Sequence, residues 1–420
     1  MDAVAFGDGF YASAVSTRLV REALMKILFI APQPFFENRG TPIAVWNMLR
    51  VLGDLGHRTD LVTYYAGEVI SIPGTVVHRC PRLPFKRIPI GFSYRKLVLD
   101  ILTYLAVLRR LGTQRYDVIH CVEEGIFLGL LAFPRKSAVI CYDMDSSLTE
   151  QLAARGKLWR MLAPLLSPLE KWALRKSACV VAVCPALREF ARKHAGQKRI
   201  FQVEDTPVVR VGPESAEEEM ELRRKLSLRD KKVVVYIGNF EAYQGIDLVL
   251  RGFAHVVQKW PHCALLIVGG MPKEVLAKKT MARRLGVEGR VVFTGFIPPE
   301  KAGAYLSLAD VLVSPRTRGT NFPMKIYSYL ASGKPVVATD LPVHTQTLGP
   351  DIAMMVPPTE EGLARGIGQL LDNPNLGKAL SERGKHLVET QFTHEAYRRK
   401  VTELYRWIGA EVAIRRGKRT

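Results

Sequence analysis

The chain has 420 residues, 48% of them hydrophobic and 24% charged, and its 60 lysines and arginines against 40 acidic residues give a formal net charge of +20. This length predicts two domains, and the balanced composition excludes disordered and fibrous proteins. The longest apolar stretches, such as GIFLGLLAFP at 125–134, are shorter than the ~20 residues of a membrane-spanning helix, which argues against an integral membrane protein.

The basic charge balance restricts the partners. It suits polyanions such as phosphorylated substrates or an anionic membrane surface. The chain has no helix-turn-helix, zinc-finger or RNP-type signature, so we expect no nucleic acid partner. The segment 1–24 has acids near its start and no compact apolar core, unlike a secretory signal, and is interpreted as an extension of uncertain status. We therefore expect a cytoplasmic protein whose six cysteines are buried free thiols.

Short runs rich in Val, Ile and Leu alternate with helical segments along the whole chain. In the first half they are KILFIA (26–31), TDLVTY (59–64), YDVIHCV (116–122), SAVICYD (137–143) and ACVVAVC (178–184). In the second half they are KKVVVYIG (231–238), CALLIVGG (263–270), RVVFTGF (290–296), ADVLVSP (309–315) and KPVVATD (334–340). Near-continuous apolar strands between helices are typical of parallel sheets covered on both faces. The sequence predicts an α/β protein with two doubly wound, Rossmann-like domains.

The predicted first domain covers 25–207 and the second covers 208–392. The strand pattern stops near DTPVVRVGP at 205–213, and the acidic segment ESAEEEMELRRKL then begins a helix. After the second domain, residues 393–410 predict a helix with no strand following it. We expect this helix to cross back onto the first domain.

The segment SPRTRGTNFPMKIYSYLASGK at 314–334 leaves a predicted strand through a turn with two arginines and enters a helix at once. Such a turn presents free backbone N–H groups at the carboxyl edge of a parallel sheet, where open α/β folds bind anions. No G-x-G-x-x-G follows a strand and no P-loop motif occurs, which argues against dinucleotide enzymes and P-loop NTPases. The segment therefore predicts an anion or sugar site of another kind.

Three segments carry a family resemblance in their order. They are YIGNFEAYQGIDLVLRGFAHVVQKWPHCALLIVGG, VVFTGFIPPEKAGAYLSLADVLVSPR and NFPMKIYSYLASGKPVVATD, and they resemble the C-terminal domain of GT-B glycosyltransferases of family 4, the glycosyl transferases group 1. The opening segment ILFIAPQPFFENRGTPIAVWNMLRVLGDLGHRTDLVTY and the final helix are similar to the same family. The resemblance covers 26 to 408. It implies two domains facing a cleft and a sugar transfer from a nucleotide-diphosphate donor that retains the anomeric configuration without a metal.

The chain departs from the family at charged positions. The family's two glutamates, eight positions apart, correspond here to Thr320 and Ser328. In the family's loop G-R-x-x-x-x-K-G, the glycines are kept, but Asn239 and Gln244 fill the places of the two cations. A leaving diphosphate needs positive charge. We therefore expect replacement cations near the turn and in the first loop.

The resulting predicted donor site contains loop and turn residues of both domains. Its members are Arg39, Gly40, Thr41, Gly238, Asn239, Gln244, Gly270, Phe296, Arg316, Thr320, Asn321, Lys325 and Ser328. Arg318 lies on the same turn, farther from the strand end. The structural alternative is that Arg316 pairs with an acid such as Asp310 and that the turn is a simple cap.

Two further motifs end strands of the first domain. IHCVEEG at 119–125 resembles the family's H-x-H-E segment, with Val122 in place of the second histidine, and makes His120 and Glu123 the candidate catalytic residues. A purely structural role for these two is the alternative. YDMDSS at 142–147 contains an Asp-x-Asp, but two acids form a weak metal signal. We favour an aspartate cap on a helix starting near Ser146, and expect no metal or other cofactor.

The segment 79–96 combines six basic residues with Phe85, Phe92 and Tyr94 and contains no acid. Basic and aromatic side chains together suit an anionic membrane surface, whereas a solvated loop is the alternative. The sequence therefore predicts a glycosyltransferase at the inner face of a membrane, acting on a cell-envelope glycan or lipid-linked acceptor. The alternative is a catalytically degenerate GT-B protein that serves as a binding or scaffold subunit. A nucleotide-sugar epimerase would need further acids in the cleft, which the sequence does not locate.

Overall fold

The computed structural model describes residues 24–37, 40–85, 88, 93–133, 138–149, 157–207 and 216–417. Its first sheet has seven parallel strands in the order β3-β2-β1-β4-β5-β6-β7. These strands are β1 (Lys26–Ala31), β2 (Arg58–Thr63), β3 (Thr75–Arg79), β4 (Val118–Val122), β5 (Val139–Met144), β6 (Cys179–Ala182) and β7 (Arg199–Gln202). The four central strands β1, β4, β5 and β6 are almost fully buried, because helices cover both faces of the sheet.

Helices of the first domain are α1 (Gly40–Asp54), α2 (Tyr94–Thr113), α3 (Gly125–Ala132), α4 (Lys157–Lys176) and α5 (Pro185–His194). Helices α2, α3, α4 and α5 contribute apolar side chains to the core on one face of the sheet, and α1 contributes to the core on the other. Because every strand connection crosses over by way of a helix or loop, all carboxyl ends of the strands meet at one edge.

The second sheet has six parallel strands in the order β10-β9-β8-β11-β12-β13. They are β8 (Lys232–Ile237), β9 (Cys263–Val268), β10 (Val291–Gly295), β11 (Val311–Ser314), β12 (Val336–Thr339) and β13 (Met354–Val356). The helices of this half are α6 (Ala216–Lys225), α7 (Ile246–Lys259), α8 (Pro272–Arg284), α9 (Ala302–Ser307), α10 (Met324–Ala331), α11 (Pro342–Thr345), α12 (Glu360–Asp372) and α13 (Pro374–Gln391).

The last helix, α14 (His394–Gly417), packs on the first domain, although it follows the second in sequence. Val401, Leu404 and Ile408 are buried in the same core as β1 and α1. Outside that core, Arg398 forms an ion pair of 3.0 Å with Asp54. The predicted crossing back of this helix is confirmed.

The predicted two-domain α/β fold is confirmed, and each predicted strand is present within two residues of its predicted ends. All six cysteines are free and buried, as expected. Three strands were not predicted: β3, β7 and β13. No helix within the described ranges is long and apolar enough to span a membrane.

Candidate functional site

Arg316 lies two residues beyond β11, at the carboxyl edge of the second sheet, and is only 8% exposed. Its guanidinium Nη1 donates to the carbonyl oxygen of Asn321 at 3.3 Å, and the group lies 5.0 Å from the ring centre of Tyr243. The buried Nε has no hydrogen-bond partner. Burial lowers the pKa of Arg316, and among the described residues no carboxylate forms an ion pair with it.

The alternative pairing of Arg316 with Asp310 is wrong. Asp310 accepts from the backbone N–H of Val233 at 2.8 Å and from Lys232 Nζ at 3.1 Å, at the opposite end of β11. This carboxylate therefore fixes the start of the strand and does not neutralise the arginine at its end.

Lys325 is the second cation of this edge and lies in the first turn of α10. Its Nζ donates to Oε1 of Gln244 at 2.8 Å and lies 4.1 Å from the ring centre of Tyr236. Burial, reinforced by the positive charge of Arg316, holds its pKa well below the usual range. In the part of the chain that the structure describes, Lys325 has no acidic partner either. The positive charges of Arg316 and Lys325 therefore repel each other at this edge of the sheet, with little solvent to screen them.

Glycines bring the neighbouring loops against these cations. Gly238 has φ of +152°, and a Cβ there would lie 2.8 Å from Lys325 Nζ. A Cβ on Gly245 would approach the carbonyl oxygen of Pro315 to 1.8 Å, and one on Gly270 would meet the ring of Phe240 at 2.5 Å. Only glycine therefore permits this approach. The loop after β8 and the turn after β11 form one continuous edge.

The two polar replacements in the β8 loop differ in placement. Gln244 is buried and accepts a hydrogen bond from Lys325. Where the resembled family has a cation, this chain therefore has an amide that orients a cation from another helix. Asn239 is exposed, and its side-chain Oδ1 accepts from the backbone N–H of Glu241. Phe296, beyond β10, is 65% exposed at the same edge, whereas Ser328 on α10 is buried.

The turn 317–321 joins the two domains. Asn321 Nδ2 donates to the backbone oxygen of Asp145 at 3.3 Å, and Gln346 Nε2 donates to the backbone oxygen of Thr320 at 2.5 Å. Gln346 also accepts from the backbone N–H of Ala186 at 3.1 Å. Arg318, on the same turn, is exposed.

The first domain contributes the loop before α1. A Cβ on Gly40 would lie 3.3 Å from Sδ of Met324, the first residue of α10. The carboxyl edges of both sheets therefore face each other across this narrow gap. Thr41 follows directly and hydrogen-bonds the side chain of Asp145. The predicted Arg39 lies outside the described residues.

His120 is fully buried within β4. Its Nε2 bonds Asp143 Oδ2 at 3.0 Å, its Nδ1 bonds the hydroxyl of Tyr405 at 2.9 Å, and its ring stacks on Phe29. Because both ring nitrogens have protein partners and no edge is exposed, the geometry supports the structural alternative for this histidine. Its predicted catalytic role has no support from this arrangement.

Glu123 stands in the turn between β4 and α3, with φ of +48°. Its carboxylate accepts from the hydroxyl of Ser146 at 2.7 Å. Burial and the neighbouring Glu124 raise the pKa of Glu123 to about 7. A carboxyl group that titrates near neutrality at a cleft edge is suited to proton transfer. The predicted role of Glu123 stays a prediction.

The Asp-x-Asp motif does not provide the expected helix cap. The backbone N–H of Leu148 donates to Glu170 at 2.9 Å, and the hydroxyls of Ser147 and Thr149 bond the same carboxylate. Asp145, the residue directly after β5, instead bonds Thr41 in the first turn of α1. The capping prediction for this aspartate is therefore wrong. Within the described ranges, no group of three or more His, Cys, Asp or Glu side chains is arranged to hold a metal ion.

Asp145 belongs to a group of buried acids together with Asp143, the other acid of the motif, and Asp205, which the sequence analysis did not single out. Burial first, and then neighbouring carboxylates, raise the pKa of Asp145 well above its usual range and that of Asp205 to about 7. No cationic side chain of the described residues pairs with Asp145 or Asp205. The first domain therefore contributes acidic side chains near the gap, whereas the second domain contributes the cations Arg316 and Lys325.

This acid group predicts an unusual pH dependence of stability. The folded-state pKa of Asp205, about 7, lies above the unfolded value, so the folded protein binds more protons between about pH 4 and pH 7 and its free energy of unfolding falls as pH rises through this window. Asp205→Asn should therefore raise the unfolding free energy at pH 8 by about 2–4 kcal/mol and leave it nearly unchanged at pH 4. Chemical denaturation at both pH values measures this. The exposed Asp230→Asn is the control, and equal stability of parent and Asp205→Asn at pH 8 would refute the argument.

The basic segment 79–96 is only partly available to a membrane. Arg79 donates to the backbone oxygens of Tyr65, Ala66 and Glu68, and Lys96 forms an ion pair with Glu124. These two side chains therefore bond within the first domain and are not free for lipid, whereas membrane docking through the rest of the segment stays a prediction. Lys86, Arg87 and Phe92 lie outside the described residues.

Both halves of the chain match known protein families. Glycosyltransferase Family 4 matches residues 39–203, and Glycosyl transferases group 1 matches residues 218–387. Alpha-monoglucosyldiacylglycerol synthase of Streptococcus pneumoniae (strain ATCC BAA-255 / R6) is 29% identical over 89% of this chain and 85% of that protein. Alpha-D-kanosaminyltransferase of Streptomyces kanamyceticus is 26% identical over 60% of this chain and 66% of its own length.

Sucrose-phosphate synthase from Thermosynechococcus elongatus has the same fold, with a TM-score of 0.76 at 21% identity over 92% of this chain and 100% of that one. Both halves of the sequence thus match glycosyltransferase families, and the two facing sheets have the GT-B arrangement. The chain belongs to glycosyltransferase family 4 and is an enzyme of the hexosyltransferase type.

Proposed function

We propose that this glycosyltransferase moves a sugar from a nucleotide-diphosphate donor to a cell-envelope glycan or lipid-linked acceptor, with retention of anomeric configuration and without a metal. The observation that carries the proposal is a pair of cations, the buried Arg316 and the half-buried Lys325, which have no acidic partner within the described ranges.

Buried charges without a counter-ion are costly, by several kcal/mol each even after relaxation. An anion that enters between Arg316 and Lys325 removes this cost and gains charge-assisted hydrogen bonds. The unpartnered Nε of Arg316 is one available donor. A diphosphate, with roughly two negative charges, matches two cations, and the carboxyl edge of a parallel sheet is where such ligands bind in open α/β folds.

In the proposed reaction the bond between the anomeric carbon and the diphosphate oxygen breaks, and the acceptor hydroxyl oxygen bonds the same face of that carbon. The hydroxyl proton passes to the leaving phosphate. Arg316 and Lys325 stabilise the charge that develops on this phosphate, which is the usual source of rate enhancement in such transfers. Gln244 keeps Lys325 oriented. Glu123 and Asp145 line the acceptor side of the gap.

The acceptor class is supported by resemblance and charge. One relative is named as a synthase of a glucosyldiacylglycerol, and the net charge of +20 favours an anionic envelope surface. The alternative, a degenerate binding subunit, is favoured by the replacement of the family's two glutamates with Thr320 and Ser328. Such a subunit would bind the donor but transfer no sugar.

Thermal denaturation with UDP-, GDP- and ADP-sugars tests the donor class. A donor at about 100 times its Kd should add about 2.7 kcal/mol of stability and raise the melting temperature by several degrees, for one base in preference to the others. The free sugar is the control. If none of the three nucleotide sugars shifts the melting temperature, the proposed donor site is wrong.

A further inference from the structure

The outer surface of the first domain is apolar where solvent would be expected to favour polar side chains. Helix α2 exposes six large side chains at helical spacing: Tyr94 (67% exposed), Leu97 (47%), Val98 (41%), Ile101 (61%), Leu105 (54%) and Leu108 (38%). Its opposite face buries Leu99, Thr103 and Val107 against the domain. The helix therefore presents an apolar stripe outward in addition to its core face.

The stripe continues onto neighbouring helices. Helix α3 packs between α2 and α4 and exposes Leu131 by 63%. Helix α4 exposes Met161, Leu165 and Leu169, four residues apart, by 78%, 72% and 45%. Together these ten side chains form one surface, here termed the apolar face. An exposed apolar surface spread over three helices marks an interaction site.

Among the described side chains of α2 and α4, every exposed charged one is basic. Helix α2 carries four lysines and arginines and α4 carries five, whereas each has a single acid. Both acids have partners inside the domain: Asp100 accepts from the hydroxyl of Tyr64 at 2.5 Å, and the buried Glu170 accepts from the backbone N–H of Leu148 in the loop that follows β5. Arg109, Arg175 and Lys176 are exposed at the helix ends.

We propose that the apolar face inserts into the interface of an anionic lipid bilayer. Apolar side chains with exposed cations at the ends of their helices match acyl chains beneath anionic head groups. A second copy of this chain fits less well, because a symmetric contact would bring these cations together.

The apolar face adjoins the acceptor side of the gap. Lys96, on α2, pairs with Glu124, which directly precedes α3 and follows Glu123. A lipid acceptor in the bilayer would present its head group at this end of α2. This deepens the proposed function and depends on it only for the identity of the acceptor, because attachment to lipid needs neither donor nor transfer.

Sedimentation of the full chain with vesicles tests the proposal. The parent should bind vesicles that contain phosphatidylglycerol more tightly than pure phosphatidylcholine vesicles. The double variants Ile101→Gln/Leu105→Gln and Met161→Gln/Leu165→Gln should bind the anionic vesicles at least about tenfold more weakly, since each loses apolar area that enters the bilayer. The control Met220→Gln/Leu276→Gln changes side chains that are 61% and 66% exposed on the second domain and should bind within about twofold of the parent.

Unchanged binding of both apolar-face variants would overturn the proposal, as would a parent that does not bind anionic vesicles. So would a parent dimer that these variants convert to monomers without loss of vesicle binding, because the face would then join two copies. All variants should keep the melting temperature shift with nucleotide sugar. Loss of vesicle binding with that shift intact separates this inference from the donor site.

Discussion

Arg316→Ala should weaken nucleotide-sugar binding by about 10- to 100-fold, whereas Arg318→Ala should leave it within about twofold of the parent. Arg316 is 8% exposed and lies against Tyr243 in the loop after β8, but Arg318, on the same turn, is exposed. The two substitutions remove the same charge from positions two residues apart. The difference in donor affinity between the two variants therefore reports the position of the charge and not the net charge of the protein.

Ligand-free stability gives this prediction a second readout. Arg316 is a buried cation without an acidic partner among the described residues, so its removal should leave the melting temperature unchanged or higher in the absence of ligand. A merely structural arginine would behave in the opposite way. Transfer activity, if measured with the identified donor, should fall by about 10²- to 10³-fold. Equal donor affinities of the parent and both variants, by titration calorimetry, would remove Arg316 from the site.

Ser328→Glu should also weaken donor binding, by about tenfold or more, although it restores a glutamate that the family has. Ser328 is buried on α10, three residues after Lys325. A carboxylate there would pair with Lys325 and divert it from phosphate. A larger side chain would also cost about 1–3 kcal/mol of stability through overpacking.

Ser328→Gln separates these two effects, because it has the same size without the charge. Both variants should lose similar stability, but only Ser328→Glu should lose most of the donor affinity. Calorimetric titration with nucleotide sugar and denaturant unfolding measure the two quantities. Should Ser328→Glu raise transfer activity, the protein is better explained as a degenerate enzyme, and the scaffold alternative gains support.

The sequence predicted the central strands because burial on both faces requires continuous apolar runs. It did not predict β3, β7 and β13, which are all edge strands of their sheets. An edge strand pairs on one side only and is partly exposed, so its sequence mixes polar and apolar residues, as in RIFQ. The sequence signal of an edge strand is weak for a physical reason, because such a segment becomes a strand only when it pairs with a neighbouring strand.

The cations of the site were predicted from the turn after β11, but their surroundings were not. The hydrogen bond between Lys325 and Gln244 joins residues 81 positions apart, and the hydrogen bond between Tyr405 and His120 joins residues 285 positions apart. Such contacts depend on tertiary packing, which local patterns do not encode. A tyrosine within the apolar strand VVVYIG was one available signal, since Tyr236 proves to lie beneath Lys325.

The docking of α14 on the first domain makes the order of folding during synthesis unusual. The core around β1 and α1 lacks Val401, Leu404, Tyr405 and Ile408 until the ribosome has made the whole second domain. The hydroxyl that bonds His120 arrives with them. The second sheet, by contrast, has all its strands within 232–356. The domain made first is therefore expected to be completed last, and the nascent chain must keep an unfinished apolar core soluble while more than half of its length is still being translated.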